Sequence, residues 1–195
     1  IETWDEAQLI SPFEKSCLLA PLLYQACYIS NTSGVFKAFH KGWGGKTGTA
    51  LTRILSTLQL HPVIFYDNRR ANHVYQQDAL SLAKELAEVK TRVDIAYLDP
   101  PYNQHSYGSN YHVLNSLTLW DKPLVTEKIQ GRNKGAIRRD WRTERRSAYN
   151  YRGEAEQAFV SLLTHLDAHY ILASYSTEGL ISIEQMVAMC LHRGH

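Results

Sequence analysis

The chain has 195 residues, of which 44% are hydrophobic and 21% charged, and a formal net charge of only +2. That balance suits one globular α/β unit with a proper core and excludes a disordered or fibrous chain. No uninterrupted apolar stretch approaches about 18 residues, so no transmembrane helix is expected. Cys17, Cys27 and Cys190 have no metal-ligand spacing and follow no secretory signal. They are read as small core residues of a metal-free protein in a reducing, cytoplasmic compartment.

From Pro12 to Ile29 the apolar positions Phe13, Cys17, Leu18, Leu22, Tyr24, Ala26 and Ile29 recur at helical spacing. With Ser11-Pro12 as its start, this predicts a buried helix. Asn31 to Gly34 break it, and a short aromatic segment follows to His40. Gly42 to Gly48 read as a loop. Its Gly45-Lys46-Thr47 is not a phosphate loop, because His40 stands where the pattern needs its first glycine. Trp43 and Lys46 could contact DNA or stand in a solvated loop.

Pro62 to Tyr66 is predicted as a strand, Asp67 to Arg70 as a turn and His73 to Gln76 as a further strand ending at Asp78. Leu80 to Val89 is a helix with leucines at 80, 82 and 86, and Asp78 can cap it. Residues 112 to 120 and Glu154 to Leu166 read as helices, Tyr170 to Ser174 as a strand and Ile183 to Leu191 as the last helix. This alternation from residue 62 predicts right-handed βαβ units and a mainly parallel sheet with helices on both faces.

Val93 to Leu98 is short and rich in apolar residues, as a strand buried in a parallel sheet would be. Asp99-Pro100-Pro101-Tyr102 ends it, since proline cannot donate to the ladder. In open α/β sheets ligands bind at the carboxyl ends of strands. Here that end carries a carboxylate, a carbonyl preceding a proline and a phenol ring. The carboxylate and the carbonyl can each accept a hydrogen bond from one NH2 group while the tyrosine face stacks on the ring that bears it. The turn therefore suits a flat, amine-bearing substrate, although Asp and Pro also build ordinary turns.

Gly131 to Arg152 carry a local excess of six positive charges and lack apolar periodicity, which predicts a mobile basic loop. Arg138, Arg139, Arg142, Arg145 and Arg146 are candidates for phosphate contacts. Trp141, Tyr149 and Tyr151 lie among them and could stack on or wedge beside bases. A solvated charged face is the alternative.

Four segments carry a resemblance to a known family: LLAPLLYQACYISNTSGVFKAFHK (Leu18 to Lys41), VYQQDA (Val74 to Ala79), YLDPPYNQHSYGSNYHVLNSLTLWD (Tyr97 to Asp121) and ILASYSTEG (Ile171 to Gly179). In this order they resemble the adenine-specific, DPPY-motif DNA methyltransferases. The resemblance implies a Rossmann-like α/β fold and methyl transfer from S-adenosylmethionine to the N6 amine of adenine in double-stranded DNA. The target base would be flipped out of the duplex. It also implies that Asp99, Pro100, Pro101 and Tyr102 are catalytic and that Asp78, Ala79 and Asp99 face the cofactor. Asn103, Tyr107, Asn110 and Tyr111 would border the target base, with Tyr111 equally readable as a core aromatic. Ser174 to Ser176 would help shape the pocket.

Residues 1–60 are then a helical segment leading into the catalytic domain, of which 61–195 form the carboxyl-side part, with the basic DNA-contact loop at 131–152. The family's F-x-G-x-G cofactor loop is not in the sequence, the chain opens on Ile1, and it stops where another strand is expected. A carboxyl-side fragment, its sheet incomplete at both ends, is expected to bind cofactor weakly by itself. A bacterial or phage modification system with a cognate restriction endonuclease is the implied setting. The alternatives are methylation of a base in RNA and a noncatalytic DNA-binding remnant.

Overall fold

The computed structural model describes residues 1–41, 47–124, 137–138 and 140–194. In chain order its elements are α1 (Glu2–Glu6), α2 (Pro12–Tyr28), α3 (Ala50–Ile54), α4 (Ala79–Glu88), β1 (Val93–Leu98), α5 (Tyr107–Asn110) and α6 (His112–Leu119). Then come α7 (Arg152–His165), β2 (Ala168–Ala173) and α8 (Ile183–Arg193). Short 3-10 turns at Asp140–Arg142 and Ala148–Asn150 fall within the basic stretch. Gly42 to Lys46, Arg132, Lys134 and Arg139 lie outside the described residues.

The chain divides into two units, Ile1–Arg70 with Tyr107–Asp140, and Ala71–Ser106 with Trp141–His195. In the first, α2 begins at a capping box. The Ser11 hydroxyl accepts the Glu14 N–H, Glu14 accepts the Ser11 N–H, and Pro12 occupies the first turn, where its missing N–H costs nothing. The helix is not buried as its periodicity suggested: no residue of it is fully covered, and Phe13, Tyr24 and Tyr28 are mostly exposed. Cys17 and Cys27 are half-buried on it rather than in a core. A loop after α2 is tied to α5 and α6 at Phe36. The Phe36 N–H donates to the Asn110 carbonyl at 2.6 Å, and the Phe36 carbonyl lies 3.2 Å from Nε2 of His112. This tie, with packing of α2 on α6, joins α5 and α6 to the amino-terminal residues.

In the second unit β1 and β2 pair in parallel, with Ile95 opposite Tyr170 and Tyr97 opposite Leu172. Ala155, Phe159 and Leu163 of α7 form the core with Ile181 and Met186, and Leu98 and Ile171 pack on it from one face of the sheet. Cys190 is half-buried beside them. The other face, with Ile95, Tyr97, Tyr170 and Leu172, is mostly exposed, so helices cover one face here rather than two. The strands expected at 62–66 and 73–76 do not form. A strand needs a hydrogen-bonded neighbour, and Ile64, Tyr66 and Val74 are each more than nine-tenths exposed.

Candidate active site

At the end of β1 the chain turns through Asp99-Pro100-Pro101-Tyr102. The two prolines offer no N–H, so the turn is held by its carbonyls. The Ser174 N–H donates to Leu98 O at 2.8 Å and the Leu180 N–H to Tyr102 O at 2.9 Å. The side-chain Nδ2 of Asn150 donates to Asn103 O at 2.7 Å, and Oδ1 of Asn103 accepts the His105 N–H at 2.9 Å. Gly179 allows the loop after β2 to deliver Leu180. A Cβ there would stand 2.2 Å from the Tyr175 ring and 2.9 Å from the Ser176 carbonyl.

The turn opens on a cleft of about 670 Å³, lined also by Asp78, Ala79, Arg145 and Tyr149. Asp78 fulfils its capping role. Its Oδ1 accepts the N–H groups of Leu80 and Ser81, while Oδ2 takes no part in these bonds. The structure thus brings together Asp78, Ala79, Asp99, Pro100, Pro101, Arg145 and Arg146. Tyr102 is 43% exposed.

Tyr149 is withdrawn from the role of base wedge. Its ring packs against the core and its hydroxyl donates to Ala158 O at 3.3 Å. Burial, and then the charge of Asp78, push its hydroxyl pKa up to about 12, so it stays a neutral donor.

Tyr107, Asn110 and Tyr111 fall in the first unit. The rings of Tyr107 and Tyr111 meet edge to face at 5.7 Å, and Tyr107 is half exposed. Asn110 is buried, and its Oδ1 has no partner among the described residues. A buried acceptor without a donor is costly unless a ligand supplies one. His112 beside it is buried as well. Desolvation holds its pKa below the ordinary imidazole range, against the bond to Phe36 and with a smaller push from Arg138.

Arg138 corrects the sequence reading. Its guanidinium is buried rather than offered to phosphate, with both Nη atoms on the Asp121 carboxylate at 2.6 and 2.7 Å. Asp140 accepts from Nε and Nη2 at 3.0 and 2.7 Å. The pairing keeps Asp121 ionised below the usual carboxylate range, chiefly through its hydrogen bonds to Arg138. Arg146 pairs with Glu154 and lies 4.1 Å from the Tyr151 ring centre, and Arg142 lies 5.0 Å from that of Trp141.

The family model described as D12 class N6 adenine-specific DNA methyltransferase matches residues 2–189. The chain belongs to this family. Among curated relatives, it is 32% identical to Modification methylase StsI of Streptococcus sanguinis over 95% of this chain and 25% of that protein. It is 34% identical to Type II methyltransferase M.FokI of Planomicrobium okeanokoites over all of this chain and 27% of that protein. With Type II methyltransferase M.NlaIII of Neisseria lactamica it shares 34% over 95% of this chain and 49% of that protein. The D12 chain therefore spans a quarter to a half of the length of these relatives. No solved structure matches it.

At this candidate site, sequence reasoning missed Asn150 altogether. Its only signal was its place beside Tyr149, and the tie to Asn103 spans 47 residues. Gly179 stood inside a quoted motif without a stated task. In the described residues no group of His, Cys, Asp and Glu could hold a metal, and no helix is long and apolar enough to cross a membrane.

Proposed function

We propose that the complete polypeptide carrying this chain transfers a methyl group from S-adenosylmethionine to the N6 amine of adenine in double-stranded DNA. The observation that carries this reading is one cleft shared by Asp78 and Ala79 on one side and by Asp99 and Pro100 on the other. Its volume is in the range that holds a nucleoside-sized ligand. Two carboxylates suit a cofactor that bears a sulfonium charge, and the second carboxylate oxygen of Asp78 suits an adenine amino group. When bound, S-adenosylmethionine supplies an electrophilic methyl group.

Adenine's amine is a weak nucleophile because its lone pair is delocalised into the ring. The Asp99 carboxylate and the Pro100 carbonyl would accept hydrogen bonds from its two N–H groups and let the nitrogen pyramidalise. As the N–C bond forms, the methyl–sulfur bond would break to leave a neutral thioether, and the amine would shed one proton to solvent. Because both acceptors are set before the base arrives, they stabilise the transition state without reorganising. Tyr102 stacks on the flipped base. A Rossmann-like sheet, completed by polypeptide outside residues 1–195, is the scaffold we infer. A cognate endonuclease and a cytoplasmic setting accompany this reading.

Asp99→Ala in the complete polypeptide should abolish incorporation of labelled methyl groups into adenine while duplex binding survives, since phosphate contacts supply most of the affinity. Transfer within a few-fold of wild type would refute the assignment.

A further inference from the structure

We propose that Asn150 is a positioning residue for methyl transfer, fixing the carboxyl end of the Asp99–Asn103 turn; this rests on the activity proposed above. Two adjacent prolines leave the turn unable to join a ladder through Pro100 or Pro101, so its shape depends on what grips its carbonyls. Leu98 O and Tyr102 O are gripped by backbone N–H groups of the loop after β2. Asn103 O is gripped by a side chain, the Nδ2 of Asn150 at 2.7 Å. The partner is a carbonyl, which can only accept, so the amide must present its nitrogen.

Asn150 is 7% exposed, and its own N–H is spent on Ser147 O. The bond joins residues 47 apart and caps no helix. It ties the turn to the 3-10 segment Ala148–Asn150, whose middle residue, Tyr149, lines the same cleft as Asp99 and Pro100. One short segment therefore supplies both a wall of the cleft and an anchor for the acceptor-bearing turn. Asn150 touches neither reacting group. It acts through the turn, where a displacement of about 1 Å is enough to cost roughly 100-fold in transfer.

The test uses the complete polypeptide in single-turnover methyl transfer, so that product release does not mask the step. Asn150→Ala should slow transfer roughly 100-fold while affinities for S-adenosylmethionine and duplex stay within three-fold of wild type. Asn150→Asp has the same shape, but its carboxylate cannot donate. Its rate should be equally low at pH 8 and should rise relative to wild type as the pH falls and the acid regains a proton to donate. A rate within three-fold of wild type overturns the proposal. So does a loss that tracks the folded fraction or cofactor affinity, or an Asn150→Asp profile parallel to wild type. Amide exchange reads the tie independently of chemistry. Both variants should exchange faster across 99–106 and as wild type across α7, and unchanged exchange in the turn overturns the proposal. If wild type transfers no methyl group to adenine, the proposed activity fails, while exchange still decides whether Asn150 holds the turn.

Discussion

A guanidinium can neutralise a phosphate or an internal carboxylate, and burial decides which. Arg138 is committed to Asp121 and Asp140, so its removal deletes charge-assisted bonds from a covered site. Arg138→Ala should cost about 1.5–3 kcal/mol, seen as a lower melting temperature. The salt dependence of duplex binding should stay unchanged. Arg142 is exposed, and if it meets a phosphate, Arg142→Ala should lower the salt slope by about 0.9. Filter binding across salt with cognate and scrambled duplexes separates the two. A reduced slope for Arg138→Ala would mean that its ion pairs open on DNA.

The start of α4 does two jobs that substitution can separate. Through Oδ1, Asp78 satisfies two N–H groups of the first helical turn, and it also faces the cleft. Asp78→Asn keeps an oxygen for the cap and should hold the melting temperature while weakening cofactor binding. Asp78→Ala should weaken binding and also cost about 1 kcal/mol of stability. Calorimetric titration and thermal melts on the same samples distinguish these outcomes. Equal affinity for wild type and Asp78→Asn would leave Asp78 a cap alone. The cap was legible beforehand, because a capping residue announces itself by its place before a helical run. The strands expected at 62–66 and 73–76 misled for a complementary reason. A β-branched or aromatic run states a preference, and only a neighbouring strand turns it into structure.

A parallel sheet normally has both faces covered, yet here β1 and β2 leave Ile95, Tyr97, Tyr170 and Leu172 exposed in one contiguous register. Among the described residues both strands are also edges. Residues 1–195 produced alone should therefore self-associate through this face. Replacing Tyr97 and Leu172 together with lysine should lower light scattering at equal concentration and leave the far-ultraviolet circular dichroism unchanged. Unchanged scattering would show that the face is not what drives association.

Local chemistry made much of this protein readable from its residues in order. Ser11-Pro12 and Asp78 start helices through bonds that span three residues or fewer, and two prolines must end the strand before Tyr102. The motif Asp99 to Tyr102 with its companions also pointed to the family. The fate of Arg138, the withdrawal of Tyr149 from solvent and the grip of Asn150 on Asn103 could not be read in that way. Each depends on which distant groups share a buried volume. A charge or an amide has no preferred partner until the fold removes water and leaves one within reach.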